Sequence, residues 1–481
     1  MTTSFKPIDW GQDFAKGDTK LRDYFVHFPE FSEVVDGSKR YVIGRKGAGK
    51  TAVIEKLRLE QDSDALKFNA DITLRDFPLN DMQELADKSH SDKGRYVSAW
   101  MFIIYVELAK IISKDNGAGP SQAVMELKEF LSFNDLDSTL GFISTVEKLK
   151  SKKSKVSVLP KWAGGEVENG NTQTTRLSVH FRKIVSSLEG LLRQVQSESE
   201  YWLFVDELDE GYRAGAPSLR LILLALIRAI EDSSLAMKRS NLKFRPLLVL
   251  RTDIFDALED NDLNKLDDFV VRLRWTSDDT SSEHSLMRIA DERIRLQYPG
   301  IIDAWNEVTI NQDNELPREV KSLWQYMTSR TFDRPRDLIK FLKYCSRHSK
   351  PDERLSFSTV KSAEADYSNW FRNEIRDEIH SYFPIWQECF QAISRLGLGK
   401  ISEDSLVDEL SQDEAIFTWM TSNSKSAKHI INLLFDFGIL GYHEGRRWIF
   451  KHKDDDLTRK SGSDLIVHYG LYKKLRLRFG K

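Results

Sequence analysis

Residues 39–61 read KRYVI, then GRKGAGKT, then AVIEKLRLEQ. A short apolar strand, a glycine-rich loop and a helix in that order leave few folds open. Gly44, Gly49, Lys50 and Thr51 match G-x-x-x-x-G-K-[ST] without deviation. Four such positions arise by chance on the order of 0.02 times in a chain of this length, so the match is not accidental. Where a helix begins, its first N–H groups are unpaired and its dipole is positive, which suits an anion. Gly47 and Gly49 let the backbone curl around phosphates without a Cβ in the way. Lys50 is expected to bridge terminal phosphate oxygens, and the Thr51 hydroxyl to ligate Mg²⁺. The phosphate-binding set is therefore Gly44, Gly47, Ala48, Gly49, Lys50, Thr51 and Ala52.

Such a loop needs a metal partner and a group that activates water. WLFVDE at 202–207 supplies both at the tip of an apolar run. Asp206 is expected in the Mg²⁺ shell, and Glu207 to orient and deprotonate the attacking water. Asp209 and Glu210 lie just beyond and receive no role, because a solvated turn explains them.

Further strand-like runs are LKFNADI at 66–72, RPLLVLRTD at 245–253 and DDFVVRLRW at 267–275. Continuous apolar strands separated by helical patterns predict a doubly wound parallel α/β sheet. About 73–200 reads as a long, mostly helical insertion, with SKKSKVSVLPKWAGGEVENGNTQTT at 151–175 as a mobile loop. The most apolar stretch, Tyr96 to Ile112, carries Glu107 and Lys110. It reads as a buried helix, since a membrane span needs about 20 residues with few charges. The expected domains are a core at 1–280, a helical lid at 281–380 and a smaller unit at 381–481.

The strand RPLLVLRTD ends in Arg251, Thr252 and Asp253. A cationic or polar group there can report on a terminal phosphate. In TFDRPRDLIKFLKYC, Pro335 and Arg336 open a helix, where proline is well tolerated. Arg336 could reach a phosphate from that helix start, with Arg334 as a weaker candidate. Tyr24, Phe25 and Phe28 in DYFVHFPEF either pack in the core or stack on a base.

The set GRKGAGKT, WLFVDE, LLVLRTD and DRPRDLIKFL resembles P-loop ATPases of the additional-strand, catalytic-glutamate class. More narrowly it resembles the AAA+ and STAND branch, with its origin-recognition-type initiators and prokaryotic signalling ATPases. It also resembles prokaryotic P-loop ATPases of unassigned function found near anti-phage defence genes. The resemblance covers residues 20–75 and 200–345. It implies strand order 5-1-4-3-2, a helical lid after strand five, and ATP with Mg²⁺ as ligands. Lys50 and Thr51 would then bind phosphate and metal, Asp206 the metal and Glu207 the water. Arg251 or Thr252 would be the first sensor and Arg336 the second. Ring-forming members carry an arginine just before strand five; FDALEDNDLNKLDDF offers only Lys265, while Arg272 and Arg274 lie within the strand pattern. An arginine finger in trans is worth about 10³–10⁵ in rate, so its absence favours a slow switch over a processive ring. Dimers or other assemblies stay open.

In the last unit, helical patterns at 384–395, 403–412 and 424–438 precede ILGYHEGRRWIFKHK, read as a two-stranded hairpin. Three helices and a hairpin form a winged-helix pattern, whose third helix can enter the major groove of duplex DNA. Lys425, Lys428, His429, Arg446, Arg447, Lys451 and Lys453 are the candidate phosphate contacts. Over 400–453, however, seven Lys and Arg face eight acids, so contact with protein or within the chain is slightly favoured over DNA. The tail HYGLYKKLRLRFGK either binds nucleic acid or packs on the body.

Composition narrows the function classes. The 481 residues suggest roughly three domains at about 150 residues each. A net charge of −3 excludes a global electrostatic sponge for nucleic acid. Two cysteines, Cys345 and Cys389, exclude a disulfide framework and a thiolate zinc site. The N-terminus has no basic start followed by an apolar run, and a cytoplasmic protein without membrane contact is expected. Three functions follow as expectations: a nucleotide switch in prokaryotic defence or stress with a partner effector, a DNA-dependent ATPase in replication, repair or mobile-element maintenance, and a nucleotide-bound scaffold with little turnover.

Overall fold

The computed structural model describes residues 3–74, 82–83, 94–136, 143–144, 173–207, 217–240, 242–258, 260, 263–380, 382–445, 447–454 and 456–478. The loop expected at 151–175, Asp209, Glu210 and Arg446 fall wholly or mostly outside these residues. The chain divides into two compact units. One, the sheet unit, comprises Pro29–Lys46 and Lys50–Leu273. The other, the helical unit, comprises Met1–Phe28, Gly47–Gly49 and Arg274–Lys481.

The sheet unit is built on five strands: β1 (Tyr41–Gly44), β2 (Lys67–Thr73), β3 (Glu200–Asp206), β4 (Lys243–Leu250) and β5 (Val270–Leu273). Their order is β2-β3-β4-β1-β5, which is 5-1-4-3-2 read from the other edge, and all pairings are parallel. The apolar runs follow from this position. Tyr201 to Val205 are all buried because β3 is paired on both sides and covered on its faces. Burying a side chain such as Leu203 contributes about 1.5–3 kcal/mol.

The longer described helices of this unit are α1 (Lys50–Gln61), α2 (Gly94–Ile112), α3 (Gln122–Phe133), α4 (Gln173–Leu192) and α5 (Pro217–Lys238). Most of α2 is buried, and the Trp100 indole N–H donates to the Ile222 carbonyl on α5 at 3.0 Å. Glu107 and Lys110 are buried together: Lys110 Nζ lies 2.7 Å from Glu107 Oε1, one turn away. Pairing removes the cost of an isolated buried charge, so the apolar run is a core helix. Among the described residues, no helix is long and apolar enough to cross a membrane.

The helical unit continues with α6 (Leu286–Gln297), α7 (Pro335–His348), α8 (Phe357–Ile379), α9 (Trp386–Leu396), α10 (Glu403–Gln412), α11 (Glu414–Ser422) and α12 (Ala427–Asp436). The first 28 residues, read from sequence with the core, fold here: Phe5, Ile8, Trp10 and Val26 join the same apolar cluster as α6 to α12. On the facing sides of α7 and α8, Phe341 stacks on Tyr367 with centroids 4.1 Å apart.

A second sheet closes the C-terminal end: β6 (Lys400–Ile401), β7 (Leu440–Glu444), β8 (Arg447–Ile449) and β9 (Leu465–Val467), in antiparallel order β6-β9-β7-β8. The expected hairpin is β7–β8. The helix α11 and the strands β6 and β9 are additions to the sequence reading. Asp413 starts α11 directly after α10, its carboxylate accepting from the Ile416 N–H at 3.2 Å.

Candidate functional site

The carboxyl ends of β1, β4 and β3 lie side by side, because β4 pairs with both neighbours: Leu250 with Ile43, and Leu248 with Val205. The residues that follow these pairs are Gly44, Arg251 and Asp206. In open parallel sheets ligands bind at this edge.

The loop after β1 has the backbone its sequence requires. Gly47 and Gly49 have φ of +80° and +101°, conformations that a side chain disfavours. Lys50 opens α1 and is buried; its Nζ donates to the Gly44 carbonyl at 3.0 Å and the Arg45 carbonyl at 3.1 Å. The ammonium is thus held within the curl of its own loop. Thr51, one residue into the helix, donates from Oγ1 to Asp206 Oδ2 at 3.0 Å. The other oxygen, Asp206 Oδ1, accepts the Glu207 N–H at 2.6 Å. One carboxylate therefore ties the loop's hydroxyl to the backbone of the next acid.

Glu207 itself has φ +65°, in the left-handed region. A non-glycine residue held there stores strain of order 1–3 kcal/mol, and such residues concentrate at functional sites. The hydrogen bond from its N–H to Asp206 is one interaction that fixes this turn.

Arg251 follows β4 and precedes a short helical turn, Thr252–Asp256. Its guanidinium makes a two-pronged contact with Asp253, Nε to Oδ1 at 2.9 Å and Nη2 to Oδ2 at 2.6 Å. Arg272, on the edge strand β5, lies 3.7 Å from Asp256.

The arginines of the helical unit separate into two kinds. Arg334 is 2% exposed and committed inward: its Nε contacts both Asp337 oxygens at 3.1 and 3.0 Å, and Nη1 donates to Glu378 at 2.5 Å. Burial pulls its pKa down, but the two carboxylates outweigh that and keep the guanidinium charged. Arg336, two residues on, is half-buried, 3.5 Å from Glu374 and over the Phe14 ring at 5.6 Å. Within the same unit, the Arg336 N–H donates to the Gly47 carbonyl at 3.4 Å, and a Cβ on Gly47 would come within 3.1 Å of Arg336 Cβ. Trp275 Nε1 donates to the Ala48 carbonyl at 2.8 Å, a contact the sequence does not announce.

Tyr24 and Phe28 are core residues. Tyr24 hydrogen-bonds Asp18 and lies under the Arg293 guanidinium at 4.0 Å, and Phe28 stacks on His284 at 6.1 Å. Phe25 is half-buried, 6.5 Å from Phe28. Among the C-terminal cations, Lys425, Lys428 and Arg447 are exposed and His429 is half-buried. Lys451 and Lys453 are engaged within the fold. Lys451 donates to the Leu457 carbonyl at 2.6 Å, and Lys453 pairs with Asp333 at 2.5 Å and Asp278 at 3.1 Å.

Among the described residues, no group of three or more His, Cys, Asp or Glu side chains could hold a metal. The Thr51 hydroxyl and Asp206 carboxylate offer two hard oxygen donors 3.0 Å apart. That set fits Mg²⁺, which takes one or two protein oxygens and completes its shell with water and phosphate.

Comparisons place these observations beside known proteins. The family model of the FunZ-associated C-terminal helical domain matches residues 284–376. No curated protein matches the sequence. Fourteen chains of solved structures match, among them Cdc6p from Pyrobaculum aerophilum. That chain is 11% identical, with a TM-score of 0.34 over 95% of this chain and 96% of its own.

Proposed function

We propose that the chain is an Mg²⁺-dependent ATPase of the AAA+ and STAND branch that turns over slowly and uses ATP as a conformational switch. The observation that carries this reading is the Thr51–Asp206 hydrogen bond of 3.0 Å, which joins the phosphate-loop hydroxyl to the acid of a strand two places away in the sheet. The strained Glu207 beside it supports a catalytic role for that residue.

In this mechanism the N–H groups of Gly47 to Thr51 and the Lys50 ammonium hold the phosphates. Thr51 and Asp206 would hold Mg²⁺, which would supply charge neutralisation at the phosphate oxygens. Glu207 orients a water and takes its proton as the oxygen bonds to the terminal phosphorus, while the bridging P–O bond to that phosphorus breaks and the diphosphate leaves with the bond's electron pair. Arg251 answers to the terminal phosphate, and the motif resemblance implies a sensor role for Arg336 as well. A ligand shifts a two-state protein only by its differential affinity for the two states, and these arginines supply that difference.

The biological use, a switch in prokaryotic defence or stress that acts on a partner effector, follows from the motif resemblance. The match to a helical domain named for its association with FunZ supports it. A DNA-dependent ATPase is the rival reading, favoured by exposed Lys425, Lys428 and Arg447 on a winged-helix-like end. The deciding experiment is the steady-state ATPase rate with and without duplex DNA at low and moderate salt, with Lys50→Ala as the blank. A slow rate indifferent to DNA supports the switch. Several-fold, salt-sensitive stimulation moves the assignment to the DNA-dependent enzyme. Bound nucleotide with no turnover leaves the scaffold.

A further inference from the structure

The Arg251–Asp253 pair suggests how the proposed site is set to respond to one phosphate rather than to nucleotide in general. Arg251 follows the end of β4, the strand between β1 and β3; it is one residue past the Ile43–Leu250 pair, level with Gly44 where the phosphate loop begins, and two residues past the level of Asp206. Its guanidinium fork is engaged through two nitrogens, at 2.9 and 2.6 Å, by both oxygens of Asp253. The arginine side chain is 12% exposed and the carboxylate 44%. A guanidinium fork fits a carboxylate and a phosphate by the same planar geometry, so the two anions compete for it.

We propose that Asp253 is a resident counter-ion for Arg251, which Arg251 exchanges for the terminal phosphate of a bound nucleoside triphosphate. This inference rests on the ATPase reading above. Asp253 then acts as a positioning residue that lowers triphosphate affinity. With a diphosphate the pair persists, because no phosphate reaches Arg251. With a triphosphate the arginine transfers, and the freed Asp253 returns to solvent, which its exposure permits. The site thereby separates the two nucleotides by a swap of anionic partners.

The test is equilibrium binding of a non-hydrolysable ATP analogue and of ADP to the full chain with Mg²⁺, for wild type, Asp253→Asn, Arg251→Ala and the double variant. Asp253→Asn is expected to tighten the triphosphate analogue by about threefold to fivefold, the upper part of the range for an ion pair of this exposure. ADP affinity should stay within about twofold. Asp253→Ser, which removes the charge but keeps an oxygen, should do the same. Melting temperatures without nucleotide verify that each variant folds. In the Arg251→Ala background the Asp253 effect should vanish. Unchanged or weaker triphosphate binding, equal tightening of both nucleotides, or an effect that survives loss of Arg251 overturns the inference. If wild type binds neither nucleotide, or Lys50→Ala binds as well as wild type, the ATPase reading fails and takes the inference with it.

Discussion

Thr51 and Asp206 are 155 residues apart in the chain and 3.0 Å apart in the fold. Each is an oxygen donor of the kind Mg²⁺ prefers. Asp206→Ala should therefore remove most of the Mg²⁺-dependent gain in ATP affinity, by about tenfold or more, a loss on the scale of one charge-assisted contact. Titrating nucleotide with and without Mg²⁺ checks it. An unchanged Mg²⁺ dependence would take Asp206 out of the metal shell.

Glu207 makes two separable predictions, one for its side chain and one for its backbone. Glu207→Gln should bind ATP and lose turnover. Glu207→Gly should lose turnover too, yet be as stable as wild type or more stable by up to about 1 kcal/mol, since glycine accepts φ +65° without strain. Urea unfolding reads the second effect independently of activity. A clearly destabilised glycine variant would mean that the Glu207 side chain also supports the fold.

Gly49→Ala should cost about 1–3 kcal/mol from backbone strain alone, because its φ is +101° and nothing lies within 4 Å of the added Cβ. Gly47→Ala adds a close approach to Arg336 at 3.1 Å and should cost at least as much. Denaturant midpoints of the two variants compare these costs directly.

Arg334→Ala should destabilise the fold by about 3–5 kcal/mol, since it removes the buried guanidinium that pairs with both Asp337 and Glu378. Arg336→Ala should leave stability within about 0.5–1 kcal/mol, as its ion pair is partly exposed. Its effect belongs on triphosphate affinity instead. Thermal melts beside binding isotherms separate the two neighbours.

His468 predicts a pH dependence. It is buried among Phe332, Phe371, Phe450 and His452, and burial lowers its pKa to about 3. In the unfolded chain the ring protonates near 6.5, so between those values only the unfolded state carries its proton. Stability therefore falls as pH drops below about 6.5, by up to about 1.4 kcal/mol per pH unit from this residue. His468→Gln should flatten the dependence between pH 6 and 4 by about that slope. Urea midpoints across this range measure it, and equal slopes for both proteins would remove His468 as the cause.

The phosphate loop was legible because its chemistry is local: consecutive backbone positions must curl, and glycine adopts the φ at 47 and 49 without strain. Asp206 and Glu207 were legible because β3 is buried, which makes two acids at its end conspicuous. Strand order came from the motif resemblance, and the register agrees with it. Sequence ranked Arg334 below Arg336 as a phosphate contact but gave no sign of the inward role that Arg334 has. Which one turns inward depends on Glu378, on the next long helix. Trp275 was silent for a similar reason, since an indole that donates to the Ala48 carbonyl looks like any other tryptophan. The start of α11 was missed because Asp413 ends one helix and caps the next without a glycine or proline between them.

The strand order has a consequence for assembly. β1 carries the loop and β3 the acids, yet these strands never touch; β4 stands between them and pairs with both. A nascent chain that has emerged only as far as residue 240 would contain the phosphate loop, Thr51, Asp206 and Glu207 without a site to put them in. Residues 243–250 are thus a keystone. Their insertion closes loops of many residues at once, a slow, non-local step in folding. Competence to hold nucleotide would therefore arrive late and all together on the ribosome, after the sensor arginine at the end of that strand has been made.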